Sequence, residues 1–101
     1  MKAISWQDED ATRWIQLDGE LDYHVVRGIQ DEFLGAVREA PGDVGVLLDG
    51  VGFVCSAALG LFIQARKIVV ARGGVVRLKG LSDSVRRVLH DTNLLPHFEI
   101  D

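Results

Sequence analysis

The segment Val44-Gly45-Val46-Leu47-Leu48 is apolar at nearly every position and stops at Asp49-Gly50. Side chains along a strand point alternately to opposite faces, so an unbroken apolar run predicts a central strand covered on both faces. Its flanks supply the covering elements. Val26, Ile29, Phe33 and Val37 are spaced by three, four and four, which sets them on one face of a helix that Asp22 caps and that ends before Pro41-Gly42. Ser56 to Arg72 reads as a second helix, with Ser56 as its N-cap and Gly73-Gly74 as its stop.

The remaining segments are shorter. Ala11 to Leu17 carries β-branched and aromatic residues before Asp18-Gly19 and reads as a strand, paired through an acidic turn with a first strand around Lys2 to Trp6. Val75, Val76 and Leu78 form a further strand. Ser82 then caps a short helix with Val85, Val88 and Leu89 on one face, and Phe98 with Ile100 supplies a final edge strand. Strands and helices alternating in this order predict an α/β domain, a four- or five-stranded mixed sheet with helices predominantly on one face.

A chain of 101 residues is short for two domains, and a compact fold of this size buries roughly two thirds of the surface of the unfolded chain. One domain over residues 1–101 is expected. The net charge of -4, with basic residues scattered apart from Arg86-Arg87, gives no electrostatic footprint for nucleic acid. No stretch reaches the length of a membrane span, and the start lacks the apolar run of a signal peptide. A cytoplasmic protein is expected. Cys55 is the single cysteine, so an internal disulfide is impossible.

Catalytic signatures are absent. His24, His90 and His97 lack the spacing that sets two ligands on one helical face, so no metal is expected. Gly73-Gly74 lies between a helix and a strand, whereas a phosphate-cradling loop runs from a strand into a helix. Asp8, Glu9 and Asp10 read as a solvated turn. Cys55 reads as a small buried filler, since a redox pair would need a resolving cysteine. A nucleophilic Ser56 would need a base and a Gly-x-Ser-x-Gly elbow, and neither is found.

The informative stretch is Leu47-Leu48-Asp49-Gly50-Val51-Gly52-Phe53-Val54-Cys55-Ser56-Ala57-Ala58-Leu59-Gly60-Leu61-Phe62. A strand ending in Asp, a glycine-bearing loop, a Phe and then a hydroxyl residue with small neighbours at a helix start resemble the STAS domain family, in its anti-sigma factor antagonist branch. Gly19-Glu20-Leu21-Asp22 is similar to the family's Gly-x-Leu-Asp segment. The resemblance continues through Gly73-Gly74-Val75-Val76-Arg77-Leu78 and Val85-Arg86-Arg87-Val88-Leu89. Cys55 stands where many relatives carry Asp, and Ala58 replaces a usual Gly.

The resemblance implies a regulator that is itself no enzyme. Unmodified, it binds an anti-sigma factor with a serine-kinase ATPase fold; phosphorylation of Ser56 by that kinase releases it, and a metal-dependent serine phosphatase resets it. Asp22, Cys55, Ser56, Ala57, Leu59 and Gly60 are the implied contact residues. From the residues alone, Ser56 reads as a helix cap before a switch, an order that the resemblance reverses, and Asp22 is a cap first and a contact second. The helix after Ser56 carries more apolar residues than one stripe needs, so either one face meets a partner (Leu59, Phe62 and Ile63 against Leu61, Ala65 and Ile68) or neighbouring helices bury both. The rival function is a STAS subunit that stays unmodified within a transport or signalling assembly.

Overall fold

The computed structural model describes residues 3–101. Strands β1 (Ile4–Glu9) and β2 (Thr12–Asp18) form a hairpin, followed by α1 (Tyr23–Glu39), β3 (Asp43–Gly50), α2 (Ser56–Ala71), β4 (Val76–Lys79), α3 (Asp83–Asp91), a 3-10 turn at Leu95–His97 and β5 (Glu99–Ile100). The five strands lie in the order β1-β2-β3-β4-β5, antiparallel for the first pair and parallel for the rest. The sheet is mixed, as expected, and has five strands.

Strand order and chirality together fix where the helices lie. From β2 onward each crossover moves the chain one strand further in the same direction, and right-handed crossovers in a single direction put every connecting helix on the same face. All three helices therefore share a face, with α2 between α1 and α3. Ile15, Val46 and Leu78 line up across the sheet and are fully buried beneath them, together with Leu17, Val44 and Leu48. The shortest dimension of the molecule, 19 Å, is that of one sheet and one helix layer at about 10 Å each.

One expectation needs correcting here. β3 is the central strand, but helices cover only one of its faces. Gly45 and Leu47 look out on the other, where the Trp14 indole lies flat across Gly45, so close that a Cβ there would overlap the ring. The Lys79 ammonium sits 5.9 Å from the Trp14 ring. The run is unbroken because a glycine beneath an indole reads as apolar in sequence without needing a second layer.

The first strand also shifts. It occupies Ile4–Glu9 rather than the region around Lys2 to Trp6, of which Lys2 lies outside the described residues. Asp8 and Glu9 thus belong to the strand, and the reversal falls at Asp10, which adopts a left-handed φ of 56°. Arg13 holds Asp8 through Nε at 2.7 Å and Nη2 at 3.0 Å. That charge-assisted pair keeps the Asp8 carboxyl below its ordinary range and the Arg13 guanidinium above its own.

Helix α2 is apolar beyond one narrow stripe because the core takes a broad part of its surface. Leu59, Phe62, Leu61 and Ala65 all lie in the core, with Phe62 6.4 Å from Phe33 of α1, while Ile63 and Ile68 are half-buried. That burial comes from α1 and the sheet, while Val70 near the end of α2 stays exposed. The helix stops as expected, at Gly73 with φ 84°, a conformation open to glycine. Its last turn is tied to α1: Arg72 donates from Nη1 to the Val37 carbonyl at 2.9 Å and from Nη2 to the Gly42 carbonyl at 2.8 Å.

Candidate functional site

Two loops at the C-terminal ends of parallel strands run side by side. The β2–α1 loop and the β3–α2 loop are joined by Gly19 N–H to the Gly50 carbonyl (3.1 Å), Leu21 N–H to the Phe53 carbonyl (2.8 Å) and Cys55 N–H to the Leu21 carbonyl (2.9 Å). Leu21, Val51 and Val54 turn inward and are buried. The starts of α1 and α2 are therefore neighbours, which brings Asp22 and Ser56 to one end of the molecule.

The two starts are built differently. Asp22 has extended backbone geometry and its Oδ1 accepts the Val25 N–H at 2.9 Å, so the expected cap is present. At α2 the expected cap is displaced by one residue. Cys55, not Ser56, holds the extended cap conformation, with φ -90° and ψ 174°, and no side chain caps the helix. The cause is non-local: the Cys55 N–H is committed to Leu21 on the neighbouring loop, which keeps Cys55 extended and makes Ser56 the first helical residue. A thiol is a weak acceptor, so the N–H groups of the first turn are left without a side-chain partner.

Ser56 is consequently exposed, and among the described residues its hydroxyl has no base to activate it. Cys55 is half-buried against the core and unpaired. Ala57 and Gly60 line a groove of about 440 Å³ between α1 and α2, closed from the α1 side by Tyr23, Val26 and Arg27. Asp22, Cys55, Ser56, Ala57 and Gly60 thus share one surface. Leu59 departs from them: at 8% exposure it is part of the core, and it can influence a partner only through the position of the helix. The described residues contain no cluster of three or more His, Cys, Asp or Glu side chains fit to hold a metal.

Two residues at this surface escaped the sequence reading. Tyr23, 61% exposed, stands at the first position of α1, with the Arg27 guanidinium 5.8 Å from its ring. Phe53, 48% exposed, projects between the buried Val51 and Val54. Tyr23 lies off the 26, 29, 33, 37 stripe, and Phe53 is the outward residue of an otherwise inward-facing loop; both were visible as large rings with no place in the core pattern. Exposed aromatic residues beside an arginine are typical of interface anchors.

Among the described residues the fold is two-layer α/β, with five strands and three helices, and it holds an exposed serine at a helix start that no side chain caps. The profile of the STAS domain matches residues 4–101, and the chain belongs to that family. It is similar to the anti-sigma-B factor antagonist of Staphylococcus aureus (strain NCTC 8325 / PS 47), 25% identical over 91 residues, which cover 90% of this chain and 84% of that protein. Among solved structures, the anti-sigma-factor antagonist (STAS) domain protein from Planctomyces limnophilus superposes with a TM-score of 0.91 at 25% identity, covering 100% of this chain and 90% of that one. The anti-sigma factor antagonist SpoIIAA is similar in its unphosphorylated form (TM-score 0.82, 26% identity, 98% of this chain and 88% of that one). It is also similar in its phosphorylated form, from Bacillus (TM-score 0.74, 25% identity, 98% and 91%).

Proposed function

We propose that this protein is an anti-sigma factor antagonist switched by phosphorylation of Ser56. Unmodified, it binds an anti-sigma factor with a serine-kinase ATPase fold through the surface around Asp22, Cys55, Ser56, Ala57 and Gly60. The kinase phosphorylates Ser56 and the complex separates; a metal-dependent serine phosphatase restores the binding form. The observation that carries this reading is the exposed Ser56 hydroxyl, on the first residue of a helix that does not use it as a cap.

The chemistry is favourable at that position. A phosphate adds about 1.5 to 2 negative charges, and the unsatisfied N–H groups and positive end of α2 accept such charge without unfolding the domain. The same charge must be stripped of water when the surface docks on a partner, which costs far more than the loss of a neutral hydroxyl contact. The names of the relatives support the partner class, and the two SpoIIAA forms support a modification that leaves the fold in place.

A second reading, a STAS subunit that is never modified, draws on Cys55: a half-buried thiol stands where an acidic side chain would precede the serine in many relatives. One experiment separates the two. The protein is incubated with the serine kinase recovered alongside it and ATP, and the product is mapped by site-resolved mass spectrometry. Phosphate on Ser56, absent from Ser56→Ala, is the expected result; phosphate on Ser5, Ser82 or Ser84 instead, or none at all, overturns the switch.

A further inference from the structure

In the loop that leads to Ser56, both peptide groups that flank the Gly52 Cα are held by side chains. The Gly52 N–H donates to Glu20 Oε1 of the β2–α1 loop at 3.2 Å, and the Gly52 carbonyl accepts from the Ser84 hydroxyl, in the first turn of α3, at 2.9 Å. Both bonds are exposed, and Gly52 itself is exposed, so water could serve either group equally well. Burial does not demand these partners. What the bonds do is fix the two peptide planes that meet at Gly52, and with them the direction in which the chain enters Phe53.

The hydroxyls of α3 form a directed chain. Ser82 Oγ accepts the Val85 N–H at 3.2 Å as the helix cap, and it lies 3.3 Å from Ser84 Oγ. A hydroxyl has a single proton, and that of Ser84 is given to Gly52, so within the serine pair Ser82 is the donor. The α3 cap thus orders the Ser84 hydroxyl, which in turn orders the Gly52–Phe53 peptide. Val51 and Val54 anchor the loop in the core on either side, leaving Gly52 and Phe53 as the segment whose direction the core does not set.

We propose that Ser84 is a positioning residue for partner recognition: through the Gly52 carbonyl, and with Glu20 holding the preceding peptide through the Gly52 N–H, it keeps Phe53 in the direction in which the partner meets it. The proposal rests on the antagonist reading for its partner, and on the protein alone for its mechanics. It places a determinant of binding on α3, which contributes none of the contact residues named above.

The test has two arms. In the isolated protein, hydrogen exchange is followed at the Gly52 amide and at the Leu21 amide, which donates to the Phe53 carbonyl. Ser84→Ala and Glu20→Ala should each speed exchange there about fivefold, with the β3 amides unchanged, while Ser84→Thr and Glu20→Gln, which keep a hydroxyl and an acceptor oxygen, should restore the parent rates. In the second arm, calorimetry with the kinase and ADP should give an affinity about threefold to tenfold lower for Ser84→Ala, recovered in Ser84→Thr, and no further loss when Ser84→Ala is added to Phe53→Ala. Unchanged exchange, or losses for Ser84 and Phe53 that simply add, would overturn the proposal. Should the parent itself fail to bind the kinase, the antagonist reading falls, and the exchange arm alone then decides whether Ser84 holds the loop.

Discussion

Helix α1 starts on Asp22, whose carboxylate takes the Val25 N–H, while its neighbour α2 starts on Cys55, whose thiol takes nothing. The starts are adjacent and joined by backbone bonds through Leu21, so the contrast does not come from different surroundings. It comes from where the polar side chain falls. At α1 the oxygen sits on the cap residue and is consumed by structure. At α2 it sits one residue later, on Ser56, where it cannot reach back to the first-turn N–H groups and stays available. A helix start left incomplete in this way gives up stabilisation of about 1 kcal/mol and keeps a reactive group at the surface.

The largest effect expected from breaking this contrast is at Ser56 itself. Stoichiometric phosphorylation should lower affinity for the kinase, measured by calorimetry with ADP, about a hundredfold, while Ser56→Ala binds about as the parent does. Equal affinities for both forms would return Ser56 to a structural role. Next comes Asp22→Ala, which should cost about 1 kcal/mol in urea denaturation by exposing the α1 start. A weakening of partner binding beyond that cost would make Asp22 a contact as well as a cap; unchanged affinity would leave it a cap only.

The contrast can also be erased from the other side. Cys55→Asp supplies α2 with the cap it lacks and should raise stability by about 1 kcal/mol, read as a higher urea midpoint with an unchanged slope. No gain would mean that the first-turn N–H groups are well served by water. The smallest effect is reserved for Ser56→Ala in the same assay. A residue that caps nothing should change stability by less than about 0.5 kcal/mol, whereas a loss near that of Asp22→Ala would show Ser56 to be a cap after all.

These differences mark what local sequence can express. The α1 and α3 starts were legible because Asp22 and Ser82 cap amides three residues ahead, within a span that spacing rules cover. The α2 start was misplaced by one residue because its cap is chosen by a bond from Cys55 to Leu21, 34 positions away, and serine is otherwise the stronger candidate. The mixed sheet with its helices on one face followed from alternating elements. The bare face of β3 did not, since nothing in Val44 to Leu48 says that the cover over Gly45 is a single indole from the next strand. Of the proposed site, Asp22, Cys55, Ser56, Ala57 and Gly60 were named from sequence, and the fold places them at the adjoining starts of α1 and α2. Tyr23 and Phe53 fall outside the core pattern in sequence, but that both rings stand exposed beside these helix starts is seen only in the assembled fold.

Arg72 fixes one further property. By gripping the carbonyls of Val37 and Gly42, it anchors the far end of α2 to the far end of α1, so α2 resembles a rod clamped at its tail, with one flank in the core and the other in solvent. Such a rod resists sliding. A charge added to its tip has no easy way to become a displacement elsewhere, and the message it carries is confined to what a partner touches when it arrives.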